Sequence, residues 1–122
     1  MNKTELEDRL IRFAGLIIKI INNLPANKAA NHLANQLVRS GTSPALNYGE
    51  SRSAELLNDF IHKLQIILKE LRETYVCLRV IHFAELYHDE QIILQAKSEC
   101  NELISIFVKS VQTASKKKNR KT

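Results

Sequence analysis

Apolar residues near the start of the chain fall at alternating steps of four and three: Leu6, Leu10, Phe13, Ile17, Ile20 and Leu24. That spacing lines one stripe of a helix that Pro25 ends. Thr4, followed three residues later by Glu7, reads as a capping box and predicts a start near residue 5. Leu16, Ile18 and Ile21 fall off the stripe, which is more apolar circumference than one intramolecular face needs and points to a subunit interface. A second helix is expected from about residue 27 to 48, bent but unbroken at Pro44, which cannot donate a hydrogen bond to Ser40. Thr42 and Ser43 can turn their hydroxyls onto carbonyls one turn back. Residues 49–53 read as a polar turn. Leu57, Leu64, Leu71 and Leu78 then recur in steps of seven with Phe60, Ile67 and Ile81, the a/d seam of a third helix over residues 53–83. At 1.5 Å per residue it would be about 45 Å long. Tyr87, His88 and Asp89 make the next connection, and Ile93, Ala96, Cys100, Leu103, Phe107 and Val111 mark a fourth helix that frays into a lysine-rich end. Four helices with short connections predict an all-α, antiparallel, up-down-up-down four-helix bundle over residues 1–115, followed by a flexible basic tail at 116–122.

Composition narrows this reading. A chain of 122 residues fits one domain, and 3 Gly and 2 Pro are too few for the turns of an all-β sandwich. Of the 18 Lys and Arg, Lys116, Lys117, Lys118, Arg120 and Lys121 follow Ser115, so residues 1–115 carry as many basic as acidic side chains. The excess of +5 belongs to the tail, and the body is neutral. Cys77 and Cys100 form no C-x-x-C and are too few for a disulfide framework. They are expected to be small core residues at one level of helices three and four. The N-terminus has no signal-peptide pattern, and the longest uncharged apolar run, residues 13–18, is far short of a membrane span. A cytoplasmic protein without membrane contact is expected.

Three constellations carry candidate chemistry. Arg39, Ser43 and Asn47 stand at i, i+4 and i+8 on helix two, with Glu50 at the end of the line. Opposite them helix three offers Lys63, Glu70 and Glu73. A structural network with Arg39 forked onto Glu70 or Glu73 is the preferred reading, over a solvated face or a ligand site. Glu85 and His88 match the Glu-x-x-His element of di-iron bundles, with His82 a turn earlier, but such sites need two copies and two further glutamates. Chance placement is preferred, and no metal, cofactor or catalytic residue is expected. The tail is either a solubility feature or a phosphate-contacting element whose binding weakens as salt rises. Arg52 and Arg79 are the exposed basic positions expected to join it in binding nucleic acid.

The line Arg39-Ser-Gly-Thr-Ser43-Pro-Ala-Leu-Asn47-Tyr-Gly-Glu50, with Asp59-Phe-Ile-His-Lys-Leu64 and Leu68-Lys-Glu70-Leu-Arg-Glu73, resembles the bacterial 23S ribosomal RNA intervening-sequence proteins. The likeness spans about residues 8–112. It departs from that pattern at Gly49, at Pro44 and at Cys77. The resemblance implies a left-handed bundle that assembles into a homopentameric ring without catalytic activity. It also implies that Arg39, Ser43, Asn47, Glu70 and Glu73 are structural or inter-subunit residues. A related accessory protein of diversity-generating retroelements is a basic pentamer that binds RNA and a reverse transcriptase. The expectation is therefore a homo-oligomer that binds RNA or DNA, RNA preferred. The alternative is a scaffold whose ring recruits a protein partner.

Overall fold

The computed structural model describes residues 1–120, which form four helices and no strand: α1 (Lys3–Asn22), α2 (Lys28–Ser51), α3 (Leu57–Phe83) and α4 (Glu90–Arg120). Each helix packs on its neighbours in chain order and α1 closes onto α4, so the molecule is the up-down-up-down antiparallel bundle. The α1/α4 seam is the least intimate of the four. The predicted stripe of α1 is the buried one, with Leu6, Leu10, Phe13, Ile17 and Ile20 inside. The leucine seam of α3 is buried from Leu64 to Leu78, and Tyr48 meets Phe107 edge-on at 5.7 Å across the core. Apolar burial of this kind, not helix propensity, holds such helices together.

Several boundaries differ from the expectation, each for a physical reason. Helix α1 is capped by Asn2, whose Oδ1 accepts the Glu5 N–H at 2.8 Å and whose amide donates to Glu5 Oε1 at 3.1 Å. Thr4 and Glu7 do not form the cap. They lie inside the helix and face Arg52, whose guanidinium donates to Glu7 at 2.8 Å and to the Thr4 hydroxyl at 3.4 Å. Helix α2 runs through residues 49–51 to Ser51, so the turn sits later than expected and α3 begins only at Leu57. Gly49 serves close packing here, because a Cβ at that position would lie 3.3 Å from Glu7 Oε2. Pro44 stays buried within one continuous α2, as expected, and Thr42 Oγ1 donates to the Val38 carbonyl. The chain does not fray at residue 116. Residues 116–120 complete α4, where Lys117, Lys118 and Arg120 oppose the negative end of the helix dipole.

The α3/α4 connection holds the one non-glycine residue with positive φ among the described residues, Glu85 at 55°. Its N–H donates to the His82 carbonyl and the Leu86 N–H to the Ile81 carbonyl, both at 3.1 Å. This is the Schellman pattern that satisfies the last carbonyls of a helix, with glutamate where glycine is favoured. Glu85→Gly relieves the left-handed strain and is expected to stabilise the fold by about 1 kcal/mol in urea unfolding.

Candidate nucleic-acid interface and polar seams

Arg39 bridges α2 to α3. Its Nη1 donates to Glu70 Oε2 at 2.6 Å, and its Nη2 donates to both carboxylate oxygens of Glu73 at 2.6 Å. The bonds to Glu73 and the charge of Glu70 raise the guanidinium pKa further above neutrality. Ser43 and Asn47 belong to the same face but bond to each other: Asn47 Nδ2 donates to Ser43 Oγ at 2.8 Å and to its carbonyl at 3.0 Å. Glu50 accepts from Lys63 across the turn. Beneath this line lies a pair that sequence reading missed, Ser40 and Thr74, both fully buried with their hydroxyl oxygens 2.9 Å apart. The Thr74 hydroxyl is also 2.9 Å from the Glu70 carbonyl, so the pair's polar groups are satisfied inside the core.

A second fork closes the α1/α4 seam and was also missed. Arg9 Nε and Nη2 grip Glu99 at 2.8 and 2.6 Å, and Nη2 reaches Glu102 at 2.9 Å. The Glu99 hydrogen bond is the largest cause of the raised Arg9 pKa. Both forks use the same device, one arginine on one helix and glutamates at i and i+3 on a helix packed beside it. The Glu-x-x-Glu spacing at 70/73 and 99/102 is the signal that could have found them together.

The basic residues divide into three environments. Lys116, Lys117, Lys118 and Arg120 are exposed on the last turns of α4; Lys121 lies outside the described residues. Lys109, Lys116 and Arg120 stand at i, i+7 and i+11 and share one face. Lys117 and Lys109 line a groove of about 430 Å³ with Lys3 of α1, whose ammonium sits 5.4 Å above the Phe60 ring. The groove is lined largely by apolar side chains, and no carboxylate of the described residues lines it. Arg52, by contrast, is held by Glu7, so its charge is shared within the fold. Arg79 is exposed near the other end of the bundle, at an apolar surface groove with Val76, Val80, Phe83 and Lys97.

Histidines and cysteines assemble no metal centre among the described residues, where no group of three or more His, Cys, Asp or Glu could hold an ion. His82 instead lies between Lys97, whose Nζ is 3.3 Å from Nδ1, and Glu90, 3.6 Å from Nε2. Cys77 and Cys100 are free and buried, and their thiols sit 3.7 Å and 3.2 Å from the carbonyls of Leu33 and Leu71. Burial pushes the Cys77 thiol up to about 11 and the Cys100 thiol to about 12. Both stay protonated in the fold while an unfolded chain ionises at about 8.5. Their contribution to stability is therefore complete below that value and is lost as pH rises through the folded range. The native protein is expected to be inert to a thiol-specific disulfide reagent at pH 7.5 and to react at both cysteines in denaturant. Reaction of the native protein at the denatured rate would contradict this burial.

Four amphipathic helices closed by arginine-carboxylate seams, with cations gathered at one end, define an all-α bundle. Comparison with known proteins gives the family. The 23S rRNA-intervening sequence protein family model matches residues 3–109, and the chain belongs to that family. Its fold is similar to the crystal structure of a protein of unknown function from the S23 ribosomal protein family of Bacteroides thetaiotaomicron. The TM-score is 0.82 at 28% identity, covering 92% of this chain and 99% of that one. None of the curated proteins matches the chain. No helix among the described residues is long and apolar enough to cross a membrane.

Proposed function

We propose that the chain is a non-enzymatic, cytoplasmic, homo-oligomeric bundle that binds nucleic acid, RNA preferred, through phosphate contacts at the basic end of α4. The observation that carries this reading is the gathering of Lys3, Lys109 and Lys117 around one groove that no carboxylate of the described residues lines, beside exposed Lys116, Lys118 and Arg120. A helical end presents these cations at fixed spacing, so less chain entropy is lost on binding than with a floppy tail. Arg52 drops out of the interface because Glu7 neutralises it locally.

Oligomerisation would multiply this end. Of the surplus apolar residues of α1, Leu16 and Ile21 pack against the core, whereas Ile18 stays exposed and is joined by Ile11. Gly15 lies between them on the same outer face, and α2 adds exposed Val38 and Leu46. A second copy covering these apolar positions, repeated into a pentameric ring, brings several basic ends to one ligand and raises binding by avidity. The same surface favours a second reading, a scaffold that recruits a different protein.

Sedimentation of the full chain, with the 260/280 nm absorbance ratio of freshly purified protein, tests both parts. The proposal expects an oligomer that carries nuclease-sensitive absorbance, and Ile18→Glu is expected to shift it towards monomer. A monomer free of nucleic acid would leave only the scaffold reading.

A further inference from the structure

On α3, Lys69, Arg72, Val76, Arg79 and Phe83 stand at i, i+3, i+7, i+10 and i+14, so they share one face, and all five are exposed. Phe83 is 93% exposed, the most open large apolar side chain of the described residues. Beyond the first turn of α3 its only carboxylates are Glu70 and Glu73, and both are turned to Arg39 on the α2 side. Lys69, Arg72 and Arg79 have no ion-pair partner among the described residues. From α4, Lys97 joins the groove beside Arg79 and Phe83, its ammonium donating to His82. The acids near that corner, Glu85 and Glu90, line a separate groove with His82, and Glu90 lies 3.6 Å from its far ring nitrogen. The neutral body therefore carries a hidden asymmetry: the Arg9 and Arg39 forks gather carboxylates at two seams, and the outer face of α3 is left cationic.

A cationic line ending in an open aromatic ring is the arrangement that a flexible nucleic-acid strand uses, with phosphates on the cations and a base on the ring. From Lys69 to Phe83 the line runs about 21 Å along the helix axis. That is room for several nucleotides of an unpaired strand. A base-paired duplex has no free base to offer Phe83, whereas an unpaired strand does.

We infer that the outer face of α3, with Lys97 of α4, binds an unpaired nucleic-acid strand, Lys69, Arg72, Arg79 and Lys97 contacting phosphates and Phe83 stacking on a base. This rests on the reading that the protein binds nucleic acid, and it adds a second contact surface, distinct from the basic end of α4 and selective for unpaired strands.

The test compares three full-length proteins: wild type, Phe83→Ala, and Arg72→Glu/Arg79→Glu. Each is made with the natural α4 end and with Lys116, Lys117, Lys118 and Arg120 all changed to Gln. The probes are a labelled unstructured 12-nucleotide RNA, DNA of the same sequence, and a 12-base-pair RNA duplex, read by fluorescence anisotropy. Phe83→Ala is expected to weaken binding of the single strands about 5- to 100-fold and leave the duplex within about twofold. Phe83→Trp restores affinity, and its tryptophan emission is quenched by the bound strand. The double charge reversal lowers the salt slope for the single strand by at least about 1.4. The sugar makes little difference if stacking and phosphates carry the contact, and a clear RNA preference adds a ribose hydroxyl to it. If these α3 variants bind every probe as wild type does while the Gln changes abolish binding, the α3 surface is not a site and the α4 reading stands. That is also the result if Phe83 docks a protein partner. If wild type binds no probe, both readings fall.

Discussion

Gly41→Leu is expected to destabilise the bundle by about 3 kcal/mol or more, the upper range for overpacking a filled core. A Cβ at Gly41 would lie 2.7 and 2.9 Å from the two γ-carbons of Ile17, which is itself fully buried. Those carbons belong to a β-branched side chain with one favoured rotamer in a helix, so they cannot swing aside. Helix α1 must move off α2 instead, and the seam that Glu7 and Arg52 close is pulled with it. Even Gly41→Ala, which gains about 1 kcal/mol of helix propensity, is expected to be net destabilising. Urea denaturation checks both, and a double-mutant cycle with Ile17→Ala isolates the clash. The shortened side chain restores part of the loss at position 41, so the two substitutions are non-additive. Additive energies would mean that α1 and α2 do not meet at this point.

The second large effect is on binding. Changing Lys116, Lys117, Lys118 and Arg120 together to Gln removes four exposed cations from the last turns of α4 and leaves buried Ala114 in place. Each phosphate contact contributes about 0.7 to 0.9 to the slope of log affinity against log salt, so the variant is expected to lose about 3 from that slope. At 0.1 M salt the same relation corresponds to about a thousandfold weaker binding of a structured RNA. The variant must also sediment and unfold as wild type does, because these side chains are exposed and have no ion-pair partner among the described residues. An unchanged affinity would remove the α4 end from the interface.

Much of the fold was legible in the order of apolar residues. The α1 stripe and the leucine seam of α3 need only a helical period and a buried face, and those two constraints leave one answer. The Arg39 fork was readable because its partners lie across one short turn, so an antiparallel return brings residues 70 and 73 opposite 39. The Arg9 fork joins the first helix to the last, about 90 residues away in sequence, and pattern alone does not set that register. Local signals failed where tertiary contacts had another use for them. Thr4 and Glu7 look like a cap but serve Arg52, and Gly49 looks like a turn but lets α2 lie close to Glu7. Charge shows the same pattern. A count of the body gives neutrality, and only pairing of the glutamates along two seams exposes the cationic face of α3.

The α4 end also illustrates how local electrostatics shape an element. Lysines at a helix C-terminus face the partial negative charge of unpaired carbonyls, which favours continuation of the helix through residues 116–120. The cations therefore stand on a helical extension of the bundle, and Lys109 one face-repeat earlier joins Lys116 and Arg120 in one line.

The most direct test of the central claim is the affinity of the full-length protein for a labelled structured RNA, measured by anisotropy from 50 to 200 mM salt. The account predicts binding that weakens steeply and linearly on a log-log plot, with a slope that the Gln changes at positions 116, 117, 118 and 120 reduce by about 3. No binding at the lowest salt, or binding whose slope those changes leave untouched, would contradict it.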